Sequence, residues 1–95
     1  MSAFVIVQIK IRDQEPYERY KQLTPASIAA YGGRFVVRGA PVSTLEGTWK
    51  PPRLVVVEFP TSELARTWWE SPEYAEAKAL RQSCADTEMI LVDCL

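Results

Sequence analysis

The chain has 95 residues, of which 47% are apolar and 24% charged, with a formal net charge of −1; this describes one globular domain with no room for a second. Its 11 basic and 12 acidic side chains form no long run of one sign, so there is no electrostatic footprint for nucleic acid or an anionic membrane. Histidine is absent, which removes the usual general base near neutral pH and the commonest metal ligand. No metal or other cofactor is expected, and any chemistry falls to Asp, Glu, Arg, Lys, Tyr, Ser or Cys.

Phe4 to Ile11 is β-branched and aromatic and alternates at its end, which predicts a first strand. Gln8 and Lys10 interrupt its apolar run, which is too short to cross a membrane and has no signal-peptide pattern, so a cytoplasmic address is the default. Asp13 is placed to cap a helix carrying Tyr17, Tyr20 and Leu23 on one face. Thr24-Pro25 reads as a restart, giving a kink or two short helices before Gly32-Gly33 ends the element. Arg34 to Arg38 predicts a second strand, and residues 42 to 49 either extend it or make a short excursion. Arg53 to Phe59 is nearly continuous in apolar residues, as for a central strand. A helix opens at Pro60-Thr61-Ser62, another at Ser71-Pro72-Glu73, and Glu88 to Leu95 closes the chain as a fourth strand. Cys84 and Cys94 form neither a disulfide framework nor a zinc pair and read as reduced, largely buried thiols.

The order β-α-β-β-α-β predicts an α+β, ferredoxin-like sandwich: one four-stranded antiparallel sheet with helices on one face, and with strands one and three central and parallel to each other. Alternation splits each strand into two sets. Val5, Val7, Ile9, Ile11, Phe35, Val37, Val55, Val57, Phe59, Ile90, Val92 and Cys94 form an apolar set that faces the helices. The other set holds Phe4, Ile6, Val36, Leu54, Val56 and Leu91 together with Gln8, Lys10, Arg34, Arg38, Glu58 and Asp93. That second face is too apolar to stay in water, so a homodimer with two sheets face to face is expected. The polar residues then line a small-molecule cleft between sheet and partner.

Within that cleft Glu58 interrupts a central strand, where a carboxylate is costly unless paired. It reads either as one half of a salt bridge to Arg38 or Lys10 or as an acid, base or ligand anchor with a raised pKa. Asp93 carries the same ambiguity, and the two are the candidate catalytic residues. Arg38 is the candidate anion anchor, with Gln8, Lys10, Trp49 and Tyr20 as further ligand contacts. Tyr17, Tyr31, Tyr74, Trp68 and Trp69 read as core or interface aromatics, and Arg81 as a surface or interface charge.

Several stretches together resemble the bacterial family catalogued as domain of unknown function 1330. They are Tyr20, Tyr31-Gly32-Gly33-Arg34-Phe35 running into Val37-Arg38-Gly39, Leu45-Glu46-Gly47, Val57-Glu58-Phe59-Pro60, Ala65 to Trp69, Ser71-Pro72-Glu73-Tyr74 with Lys78 and Arg81, and Val92-Asp93. Ala40 and Cys94 stand where that pattern tends to have glycine. The resemblance implies a dimeric α/β barrel and no particular activity; its wider structural relatives include cofactor-free monooxygenases, lactone isomerases and decarboxylases, a link at the level of fold. Two functions follow as expectations: a small-molecule binder or cofactor-free acid/base enzyme using the cleft, or a non-catalytic interaction module whose polar residues fix dimer register.

Overall fold

The computed structural model describes residues 2–95. Along β1 (Ala3–Ile11), Ala3, Val5, Val7 and Ile9 are buried while Phe4, Ile6 and Gln8 are partly exposed, the period of a strand with one face on a core. There follow α1 (Gln14–Ala30), β2 (Arg34–Arg38), β3 (Leu54–Phe59), α2 (Ser62–Glu70), α3 (Pro72–Cys84) and β4 (Ala85–Asp93). The sheet runs β2-β3-β1-β4 with every neighbouring pair antiparallel, the α+β ferredoxin-like arrangement. β1 and β3 are central, but they run antiparallel to each other, not parallel. The reason is connectivity: α1 carries the chain back across the sheet, so β2 repeats the direction of β1, and β3 then reverses it.

Local chemistry sets the helix ends. The hydroxyls of Thr61 and Ser71 accept from the amides of Leu64 and Tyr74 and cap α2 and α3, whereas Asp13 occupies the cap position of α1 without a side-chain bond. Gly32, at φ 77°, ends α1 by returning its amide to the Ala29 carbonyl, and Gly33 returns its own to Ile28. A Cβ on Gly33 would lie 2.6 Å from Phe59 Cε1 and 2.7 Å from Ile28 Cγ2, so only glycine lets the chain leave α1 this close to β3.

α1 is one helix with Pro25 inside it, not two short ones. Proline has no N–H for the carbonyl four residues earlier, which is that of Lys21. Arg38 supplies the missing donor, its Nη2 lying 2.8 Å from that oxygen. Thr24 Oγ1 donates to the Tyr20 carbonyl at 2.7 Å, tying the same turn.

Between sheet and helices Trp68 is the centrepiece. Its ring stacks on Tyr74 at 4.2 Å and lies 5.3 Å from Phe59, and its Nε1 donates to Ser27 Oγ at 3.1 Å. Both cysteines are free: Cys84 is buried, which pushes its thiol pKa up, and Cys94 is partly exposed.

Two strands differ from the alternation read in the sequence. β4 starts at Ala85, directly out of α3, and pairs Val5 with Leu91, Ile6 with Ile90 and Phe4 with Val92. Ile90 and Val92 therefore share the open face with Phe4 and Ile6, while Met89 and Leu91 face the helices. Met89-Ile90-Leu91-Val92 is apolar on both sides and carries no phase of its own; the exit from α3 and the long pairing with β1 decide it. In β2 the register against β3 shifts between Phe35 and Val37, setting Val37 opposite Val56 and Arg38 opposite Val55. That bulge turns Val37 to the open face and Arg38 to the helix side. Arg81 is likewise no surface charge: it is 4% exposed, on the inner side of α3.

Candidate functional site

The register divides the candidate residues between two faces of the sheet. On the open face Arg34, Glu58, Phe4 and Val92 form one row and Val37, Val56, Ile6 and Ile90 the next. Leu54, Gln8 and Glu88 form a third, with Lys10 opposite Asp86 beyond it. Gln8 donates from Nε2 to Glu88 at 3.3 Å and accepts at Oε1 from the Trp49 indole at 2.6 Å. Trp49 is 65% exposed and belongs to the connection between β2 and β3. With Ile6, Leu54 and Ile90 these three line a shallow depression of about 260 Å³.

Glu58 lies at one end of this face, paired with neither Arg38 nor Lys10 but with Arg34, whose Nη2 is 2.7 Å from its Oε1. Hydrogen bonds from Arg34 and Ser2 hold its carboxyl below the ordinary carboxylate range, the opposite of a raised pKa. A depressed folded pKa contributes stability above the unfolded value and loses it as pH falls through the folded one. The melting temperature of the native chain should therefore exceed that of Glu58→Gln at pH 7, the gap closing as pH drops below about 4. A gap that stays constant down to pH 3 would contradict the ion pair. Asp93 does not join Glu58: it pairs with Ala3 on the helix-facing side, exposed at the end of β4.

Arg38 and Tyr20 belong to the other face. There a pocket between α1 and the sheet is walled by Val7, Ile9, Ile28, Val55 and Val57, with Tyr17, Tyr20, Lys21, Phe35, Arg38 and Arg53 among its remaining lining. Its closed volume is about 20 Å³, room for one water-sized body. Arg53 Nε donates to the Tyr17 hydroxyl at 3.1 Å, and its guanidinium lies 5.6 Å from that ring. Arg38 lies 4.4 Å over the Phe35 ring. Gly39, at φ 75°, completes this wall, since a Cβ there would strike the Arg53 guanidinium.

Burial raises the Tyr17 pKa, with Arg53 opposing it, and burial next to Tyr74 raises that of Tyr20. Both phenols are therefore held neutral. The Tyr20 and Tyr74 hydroxyls are 3.1 Å apart, and Arg81 Nε donates to Tyr74 at 3.4 Å. Tyr17 and Arg53 were absent from the candidates read in the sequence. Arg53 had a signal there: it is in phase with Val55, Val57 and Phe59, so the start of β3 aims a cation at the helices. Among the described residues no group of three or more His, Cys, Asp or Glu side chains is placed to hold a metal ion.

Residues 2–95 match the family described as Domain of unknown function (DUF1330). The chain belongs to this family. No curated protein matches it. Among solved structures, a protein of unknown function from Rhodopseudomonas palustris aligns with a TM-score of 0.80 and 20% identity, over 99% of this chain and 82% of that one. SnoaB, a cofactor-independent oxygenase from Streptomyces nogalater, aligns at 0.68 and 12%, over 99% and 93%. A dimeric protein of unknown function and ferredoxin-like fold from Bacteroides fragilis aligns at 0.53 and 16%, over 98% and 96%. At these identities the likeness is one of fold, and this DUF1330 chain shares it from end to end.

Proposed function

We propose that the chain is a homodimeric binding protein for a small organic molecule, which it takes into the pocket between α1 and the sheet while the open face forms the dimer interface. The observation that carries the pocket is its lining: a closed apolar wall interrupted by the Tyr17–Arg53 pair and the Tyr20 phenol, few polar groups converging on apolar surface. As it stands the pocket holds one water-sized body, so a guest enters only if the outer side opens; that side is made of Lys21, Phe35 and Arg38, all partly or fully exposed, with Arg38 and the Phe35 ring moving as one. For the interface, Phe4, Ile6, Val37, Leu54, Val56, Ile90 and Val92 form one contiguous apolar patch, with Ile90 61% exposed. The dimeric description of the Bacteroides fragilis protein agrees with pairing in this fold.

Catalysis by a protein base finds little support, because no carboxylate lines the pocket and Glu58 is committed to Arg34. The chemistry available is stabilisation of negative charge on the guest by guanidinium and phenol donors. That suits a reaction passing through an enolate or phenolate, and SnoaB offers a cofactor-independent oxygenase on the same fold. For Glu58 a structural role is favoured over a catalytic one, since its ion pair with Arg34 ties β2 to β3 within the chain.

The test is a thermal-shift screen of aromatic carboxylates, phenols and lactones, followed by NMR of the aromatic rings with the best stabiliser. Shifts centred on Tyr17, Tyr20 and Phe35 are expected. Shifts centred on Trp49, with those three rings unmoved, would move the site to the open face; no stabiliser at all would overturn the binding function.

A further inference from the structure

The described residues form three ion pairs, Arg12–Asp86, Lys21–Glu18 and Arg34–Glu58. The two guanidiniums at the pocket, Arg38 and Arg53, take part in none of them. Glu18, the carboxylate on the adjoining turn of α1, is already engaged by Lys21 at 3.1 Å and by Gln14 at 3.1 Å. The mouth of the pocket thus carries an excess of positive charge above apolar walls.

Arg38 is the more available of the two cations. The β2 bulge turns it towards α1, the Phe35 ring lies 4.4 Å beneath it, and its fork donates to the Lys21 carbonyl. That carbonyl is open to it because Pro25 has no N–H to give. A neutral carbonyl is a weaker partner for a guanidinium than a carboxylate, which accepts two parallel bonds from the same fork.

We infer that the guest of this pocket is a planar organic anion and that Arg38 selects it, exchanging the Lys21 carbonyl for the anion's oxygens. This rests on the pocket reading above. In the empty protein Arg38 bridges β2 and α1 across the pocket's outer side; on binding it keeps its seat on Phe35 and turns its donors to the guest. Pro25 is then more than a tolerated irregularity, since the carbonyl it leaves open holds Arg38 in reserve.

The experiment compares benzoate with its neutral isostere benzamide by calorimetric titration of the native chain, Arg38→Ala and Pro25→Ala. Benzoate should bind the native chain more tightly than benzamide does. Arg38→Ala should weaken benzoate about tenfold or more, the size of a lost charge-assisted hydrogen bond, and leave benzamide within about twofold. Pro25→Ala restores the helical donor to Lys21, releases Arg38, and should tighten benzoate alone. Equal binding of benzoate and benzamide, or an Arg38→Ala chain that binds benzoate as the native one does, overturns the selection while leaving the pocket in place. Benzoate affinity that is unchanged or weaker in Pro25→Ala overturns the exchange with Lys21. Failure of both compounds to bind the native chain overturns the pocket reading and this inference together.

Discussion

Trp68→Ala should lower the melting temperature by upwards of about 15 °C, the largest effect expected of any single truncation here. The indole is 2% exposed, stacks on Tyr74, touches Phe59 and holds Ser27 through Nε1. Removing a buried tryptophan costs about 3–5 kcal/mol, because the transfer energy is lost and a cavity is left behind. Each kcal/mol moves the midpoint of a domain this size by about 4–8 °C. Ser27 loses its donor as well. Trp69, the neighbour in sequence, is 41% exposed and packs against Lys78 at 3.9 Å, so Trp69→Ala should melt within a few degrees of the native chain. Thermal denaturation followed by circular dichroism of both variants checks the pair; equal losses would contradict a core centred on Trp68.

Ile6→Lys should convert the proposed dimer to a monomer at micromolar concentration while leaving the fold intact. Ile6 stands between Val56 and Ile90 in the middle of the open face. In a monomer its side chain already meets solvent in part, so a lysine there is tolerated. In a two-fold interface the two lysines would be buried near one another, and like charges so placed cost several kcal/mol. Sedimentation velocity should read this as a weakening of self-association by more than about a hundredfold. A native chain that sediments as a monomer at high concentration, or a variant that stays dimeric, would remove the open face as the interface.

How far the sequence could be read depended on whether each segment carried its own phase. β1 alternates clearly, with Gln8 and Lys10 marking the open side, and β3 placed Glu58 correctly opposite the helices. The openings of α2 at Pro60-Thr61-Ser62 and of α3 at Ser71-Pro72-Glu73 were legible because hydroxyl, proline and acid at those spacings mark a helix start. β4 was misread because its middle is apolar at every position, so only pairing with β1 decides which side faces out. Arg38 was misplaced by an insertion of one residue in the ladder, a bulge that Arg34 to Arg38 does not announce. The proposed site suffered most from these two errors. Glu58, Arg38 and Asp93 were grouped by alternation alone, and the register separates Glu58 from both of the others. Arg81 illustrates a different limit: nothing local distinguishes an arginine that reaches Tyr74 inside the domain from one that reaches water.

The three tryptophans of this chain occupy three different surroundings, and that gives the molecule its own optical reporters. Trp68 emits from the core, so its spectrum follows folding. Trp49, bonded to Gln8 at the edge of the open face, emits from water in a monomer and shifts to the blue when a second sheet covers it. Trp69 lies on the outside of the single chain, 41% exposed against Lys78. With Trp69 replaced, dissociation on dilution should move the Trp49 component alone, whereas unfolding moves the Trp68 component as well.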